Sequence, residues 1–405
     1  MRLTRLSLTN FRAFTRLDIE FPRRILLLIG DNAQGKTSLL EAIFYLATFS
    51  SFHTQTDKQL VSFHTGDESL AVARIVAEIE KLGKSTKLEV RLILESGTHG
   101  SSRLRKEILV DGVKRKTVDA LGELNAVIFL PQMMRILEGS PDDRRRYINM
   151  VLSQVISGYG EALSVYSRAL EQRNALLKLL QERGGDQSQL EYWDGLLVEH
   201  GALIIAARIS ALQELETTAA AIHLRLTSNS EVLRLIYQPS YDPLPLTPGQ
   251  LPLPLKTSAD RSIYSLQEIR DGFQERLAAL RSVEIQRGIT TIGPHRDELR
   301  LGTNGMDLGD YGSRGQVRTA LLAVKLAEVD WMKKKTGELP VLLLDETLAE
   351  LDPTRREDLL ASMGGYEQAI LTATDLSHFP EEFIEQCTRW NVKMGSIAAD
   401  IEDNS

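Results

Sequence analysis

The residues whose types and spacing most plainly carry chemistry are Gly30, Asp31, Asn32, Ala33, Gln34, Gly35, Lys36 and Thr37, which fit G-x-x-x-x-G-K-[ST]. A glycine-rich turn of this kind at a helix start directs several backbone N–H groups, and the positive end of the helix dipole, at one point where a phosphate fits. Lys36 would reach the outer phosphates of a nucleoside triphosphate, and Thr37 would hold Mg2+. Toward the other end of the chain, PVLLLDET (340–347) reads as an apolar strand ending in Asp345 and Glu346. An acid at such a strand end can hold Mg2+ through water, and the next can orient the attacking water as general base.

A third group lies between them, in DYGSRGQVRTALLAVKLAEVD (310–330). Ser313, Arg314, Gly315 and Gln316 stand at the start of a helix whose apolar face includes Val317, Leu321, Val324, Ala327 and Trp331. A small glycine-containing turn at a helix N-terminus is again a phosphate-binding device, and one triphosphate does not need two of them from one chain. The three motifs together imply a second subunit: the turn of one copy closes over the γ-phosphate held by the other.

The elements that must position these residues follow from periodicity. Ile25 to Ile29 form a short buried strand, and Leu39, Leu40, Ile43, Leu46 and Ala47 recur at helical spacing, so the glycine-rich turn joins strand to helix. LTRLSLTNFRAF, LDIEF, SLAVARIVAEIE, KLEVRLILE and KEILVDGVKRKTV make the first part strand-rich, with a turn at Asp111 and Gly112. From Asp142 to about Arg183 the chain reads as helix, interrupted near Ser157 to Gly160; after a turn at Gly184 and Gly185 a second long helix covers about Gln189 to Thr227. This pair predicts an antiparallel arm. Six of the thirteen prolines lie between Pro239 and Pro254, an extended connection, before a further helix at about Ser265 to Arg287. The last dozen residues read as a polar tail.

The chain has 405 residues, 42% hydrophobic and 25% charged, as in ordinary globular proteins of two or three domains. Its apolar runs, such as ALIIAA at 202–207, are too short to suggest a membrane span, and MRLTRLSLTNF has no apolar signal core. A single Cys387 excludes an internal disulfide framework and leaves no zinc-ligand spacing, so a cytosolic location is expected. With a net charge of −7, nucleic-acid binding would have to come from a local basic surface.

LTNFRAF, GDNAQGKTSLLEAI, EGSPDDRRRYIN, LEQRNALLK, TTIGPHRDEL, YGSRGQVRTALLAVKLAE and LLLDETLAELD together resemble the RecF family, DNA-repair members of the ABC-type ATPases related to SMC proteins. The resemblance runs over nearly the whole chain. It implies an α/β fold: an ABC-type P-loop ATPase head assembled from both chain ends, with an inserted helical arm. The expected divisions are 1–135 and 291–395 for the two lobes of the head, 136–290 for the arm and 396–405 for the tail. It further implies ATP and Mg2+ as cofactors, an ATP-dependent homodimer, binding to single-stranded, gapped or junction DNA with slow hydrolysis, and help in loading RecA together with RecO and RecR.

The chain departs from the family pattern at several positions. Ala33 stands where glycine is frequent; Glu346 replaces the second aspartate; Ala349 replaces a serine before the kept dimer-turn Asp352. Gln132 occupies a place where an acid is common and is a candidate contact to Mg2+ and water. Thr372 and Thr374 stand where transporter-type relatives carry a histidine, leaving the γ-phosphate sensor open. Arg12 is a candidate for the nucleotide, and His295 reads as structural or functional with equal ease. For DNA the candidates are Arg144, Arg145 and Arg146, with Lys114, Arg115 and Lys116; Arg103, Arg105 and Lys106, and Lys333 to Lys335, are further basic clusters. Each also reads as a solvated face, or for the last as a favourable helix end. The rivals are a transporter ATPase subunit, which would place its motifs closer together; an SMC coiled-coil protein, which would need a longer arm; and a small-molecule kinase, which the SRGQ helix disfavours.

Overall fold

The computed structural model describes residues 1–54, 56–62, 70–96, 102–244 and 260–399, and divides into two compact units, Met1–Gln132 with Glu328–Ser405, and Met133–Ala327.

The first unit contains two six-stranded sheets. One is antiparallel, in the order Phe14–Glu20, Arg2–Phe11, Leu70–Lys81, Lys84–Ser96, Ser102–Val110, Val113–Arg115. Alternation builds it: Leu6 and Leu8 are buried on the face opposite Arg5 and Ser7. Asp111 and Gly112, both at positive φ, make the two-residue turn read from the sequence. The other sheet runs Ser396–Ala399, Thr388–Lys393, Arg24–Ile29, Gln368–Ala373, Val341–Asp345, Ala126–Phe129, parallel except for its first pair. Leu26, Leu27, Leu28, Leu342, Leu343, Leu344, Ile370 and Leu371 are at most 1% exposed. Such continuous apolar runs belong to parallel strands covered on both faces. Ser396–Ala399, expected to begin a polar tail, instead pairs with Thr388–Lys393, so Ile397 lies opposite Val392.

The second unit is mainly helical. Tyr159–Arg183 and Leu190–Leu226 pack against each other around the Gly184–Gly185 turn, and at about 1.5 Å per residue span roughly 37 and 55 Å. Leu266–Arg287, the further helix read from the sequence, packs on both. By length and composition Gln187–Leu226 could cross a membrane, but its apolar face lies against these neighbours, and it carries the buried Arg208, paired with Asp297 at 2.7 Å. Arg173, fully buried, ties the three helices together through Asp194 (2.6 Å) and Glu284 (2.7 Å).

Residues 291–327, expected in the second lobe of the head, cluster with the helical unit instead. The cause is a strand the sequence reading missed: Leu233–Gln238 pairs antiparallel with Glu298–Thr303. The stretch GPHRDEL is held there by a buried network. Asp297 accepts from Arg208, Tyr237 and the Ser240 N–H, and Arg208 also donates to the Pro294 carbonyl at 2.7 Å. His295 accepts from the Tyr166 hydroxyl at 2.7 Å, and burial lowers its pKa to about 4, so it is a neutral structural residue. Of the proline-rich connection, 245–254 lie outside the described residues.

Candidate nucleotide site

The Arg24–Ile29 strand delivers the chain to Gly30, where a side chain is not tolerated: a Cβ would stand 2.3 Å from the Val392 carbonyl oxygen. The turn closes at Gly35, with φ +112, and the helix Lys36–Thr48 begins without any side-chain cap. Its first-turn N–H groups therefore face outward for an anion. Ala33 takes φ 63, a left-handed conformation that costs a residue with a Cβ about 1–2 kcal/mol relative to glycine. The departure at this position changes strain, not the course of the loop.

Lys36 is 3% exposed and folds over the turn, donating to the Gly30 carbonyl and to that of Asp31 at 3.2 Å; its ammonium lies 3.0 Å from Glu346 Oε1. The Thr37 hydroxyl lies 3.0 and 2.9 Å from the two oxygens of Asp345. Thr372 completes the group: its hydroxyl donates to Asp345 Oδ1 at 2.8 Å and accepts the Glu346 N–H at 3.0 Å. Burial raises the Asp345 pKa, Glu346 adding to it, against the hydrogen bonds from Thr372 and Thr37. A desolvated carboxylate beside a hydroxyl is a donor set that suits Mg2+ bound jointly with phosphate oxygens. Thr372 is thus committed to orienting the acidic pair and is not free to sense a γ-phosphate, whereas Thr374 is exposed.

On the flank of the site, Gln132 is exposed and its amide meets His53 Nδ1 at 3.2 Å. His53 was not singled out from sequence, since a lone histidine after a helix carries no spacing signal. Burial lowers its pKa and Arg12 adds to this, against Glu41 and Asp345, which places it within electrostatic reach of the acidic pair. Arg12 is held by a bidentate pair with the buried Glu41, at 2.7 and 2.9 Å, and donates to the Gln59 carbonyl at 3.1 Å.

The profile of the RecF/RecN/SMC N terminal domain matches residues 2–388. The DNA replication and repair protein RecF of Herpetosiphon aurantiacus is 35% identical over 98% of this chain and 99% of its own length, and that of Chloroflexus aggregans 37% over 98% and 100%. The chain belongs to the RecF family. Solved structures agree: the recombination mediator protein RecF with ATPrS, in the RecFOR pathway, superposes with a TM-score of 0.80 at 29% identity, over 99% of this chain and 98% of that one. Its ATP complex matches equally well, with 98% and 99% covered. The fold is the ABC-type ATPase head of RecF.

Ser313 to Gln316, expected to form the signature, belong to the second unit. Ser313 and Gln316 form a reciprocal capping box: the Ser313 N–H donates to Gln316 Oε1 at 3.0 Å, and the Gln316 N–H to Ser313 Oγ at 3.3 Å. Gln316 also donates to Glu231 at 2.9 Å. Arg314 and Gly315 are exposed, and a Cβ on Gly315 would meet nothing nearer than Ser313 Oγ at 4.0 Å, so the chain's own packing gives no reason for a glycine there. Asp352 is exposed and caps the helix Pro353–Ser362 through the Arg355 N–H at 3.1 Å.

The basic candidates separate sharply. Arg144 is 8% exposed; it grips Glu298 at 2.6 and 2.7 Å and donates to the Leu137 and Gly139 carbonyls, so four of its five N–H groups are taken and its charge is paired. The expectation of a DNA contact there is corrected: its task is to close the start of the helix Pro141–Val155. Arg145 is engaged with Asp142 and the Asp297 carbonyl, while Arg146 is exposed. Lys106 is likewise structural, bonded to Asp57 at 2.6 Å and the Phe49 carbonyl at 2.9 Å. Lys114 pairs with Glu107 at 2.9 Å in solvent, and Arg115 and Lys116 are exposed.

Proposed function

We propose that this RecF-family chain is an ATP-dependent DNA-binding protein of recombinational repair and replication, acting in the cytoplasm, whose slow, DNA-stimulated hydrolysis serves as a timer. The observation that carries the reading is the group Lys36, Thr37, Asp345 and Glu346, drawn from both chain ends into one cluster. Mg2+, when bound at Thr37 and Asp345, supplies charge stabilisation to the transferring phosphoryl group. Lys36 leaves Glu346 for the outer phosphates, and Glu346 then takes the proton of the attacking water.

The second copy is inferred from Gly315, an exposed glycine that internal packing does not require, in the capped first turn of its helix. Ser313 and Gly315 of one protomer close on the triphosphate of its partner, with Asp352 at the turn facing it. Similarity to the recombination mediator protein RecF of the RecFOR pathway supports loading of RecA, with RecO and RecR, onto single-stranded, gapped or junction DNA. The proposed DNA surface includes Lys114, Arg115 and Lys116.

The test is retention of gapped DNA on a filter. The Glu346→Gln protein should hold DNA with Mg-ATP and release it without nucleotide, and Lys36→Ala should hold none under either condition. DNA retained equally with and without ATP would contradict the gating.

A further inference from the structure

Met394 is the most exposed large apolar side chain among the described residues, at 84%, and it sits beside the phosphate loop. The turn that carries it joins Thr388–Lys393 to Ser396–Ala399. Two hydrogen bonds pin this turn to the loop: the Met394 N–H donates to Gln34 Oε1 at 2.7 Å, and the Gly395 N–H to the Gln34 carbonyl at 3.0 Å. On the other flank a Cβ on Gly395 would lie 2.8 Å from the Ala13 carbonyl oxygen. The Phe14 ring floors both parts, within 3.2 Å of a Cβ on Gly35 and 3.8 Å of one on Gly395. These contacts tie the turn to the phosphate loop. Met394 itself has φ 47, where asparagine or glycine would be unstrained, and burial offers no compensation for the methionine.

The order of the sheet gives a direction. Gln368–Ala373 and Val341–Asp345, which bring Thr372 and Asp345, lie on one side of the phosphate-loop strand, and Thr388–Lys393 lies on the other. Lys36, Thr37, Asp345 and Glu346 mark the γ-phosphate end. Met394 stands toward the opposite edge, on the side those residues leave for the rest of a bound nucleotide. We propose that Met394 is the platform on which the purine base of the bound nucleotide packs, an inference that rests on the nucleotide-site reading above. A thioether is polarisable and flexible, and it packs against ring faces without demanding one hydrogen-bond pattern. The platform thus adds affinity for a base without choosing between adenine and guanine.

The experiment compares ATP with tripolyphosphate, a probe that has the phosphates and lacks the base, titrated with Mg2+ into the full chain. Met394→Asn suits the left-handed turn and keeps its backbone hydrogen bonds; Met394→Phe keeps an apolar face. The asparagine variant should bind ATP about three- to tenfold more weakly with tripolyphosphate affinity unchanged, and the phenylalanine variant should retain ATP affinity. Wild-type ATP affinity in Met394→Asn, or parallel loss of ATP and tripolyphosphate, would overturn the platform. Tripolyphosphate binding that survives Lys36→Ala would instead fault the phosphate site itself.

Discussion

The Lys36 ammonium lies 3.0 Å from Glu346 Oε1, so in the proposed mechanism the group assigned to the outer phosphates is paired with the carboxylate assigned as base. ATP binding has to break this pair. On this proposal each group is released to its own task at the same moment, and the base is held back while the site is empty.

Removing the carboxylate's charge should therefore separate binding from turnover. Glu346→Gln is expected to bind ATP at least as tightly as wild type, because Lys36 is freed, while hydrolysis falls by about 10²–10⁴-fold. Calorimetric titration and a phosphate-release assay check the two halves; unchanged turnover would assign the base elsewhere.

Asp345 gives a pH prediction. Its carboxyl is raised above the usual range by burial, so its contribution to stability is full below the unfolded value near 4 and is lost as pH rises through the raised folded value. At neutral pH the ionised form is a cost to the nucleotide-free protein. Asp345→Asn should raise the melting temperature at pH 7, with little change at pH 4, and abolish the further stabilisation by Mg-ATP. A lower melting temperature at pH 7 would contradict this.

His295 runs the other way. Its folded value, about 4, is depressed below 6.5, so the stability it contributes is full above pH 6.5 and is lost as pH falls toward 4. The loss should be about 3 kcal/mol over that window. Urea unfolding at a series of pH values in this window, followed by tryptophan fluorescence, should show stability falling with pH in wild type and a flatter dependence in His295→Gln.

Arg144 on one hand, and Arg115 with Lys116 on the other, separate folding from DNA binding. Arg144→Ala, which strands Glu298 and two carbonyls, should cost about 3 kcal/mol of stability without changing the salt dependence of DNA binding by the folded protein. Arg115→Ala with Lys116→Ala should leave stability alone and reduce the slope of log affinity against log salt by about 0.9 for each DNA phosphate no longer neutralised. Equal salt slopes in all the proteins would remove this surface from the DNA interface.

That contrast shows what could be read from the sequence. In RRR each residue turns about 100° from the last, so the three face different sides of the helix. Arg144, Tyr147, Ile148 and Val151 follow the i, i+3, i+4, i+7 spacing, and that stripe was a legible signal for the inward one. The phosphate loop and the Val341–Asp345 strand were legible because buried parallel strands are continuous apolar runs with functional residues at their ends. The Leu233–Gln238 strand was harder: it is short, follows a long helix and finds its partner sixty-odd positions later. Met394 and His53 carried no motif, since their place beside the loop arises from sheet order and chain packing. Ser313 and Gln316 were read for phosphate, and the structure adds a second reason for both, the capping box.

The central claim is that ATP brings two copies together through the Ser313 turn. It is tested most directly by the light-scattering mass of Glu346→Gln, with and without Mg-ATP, beside the same protein carrying Ser313→Arg. The account predicts a monomer that doubles in mass only with ATP, and a Ser313→Arg partner that binds ATP yet stays monomeric. A monomer under every condition, or dimers unaffected by Ser313→Arg, would contradict closure across two subunits.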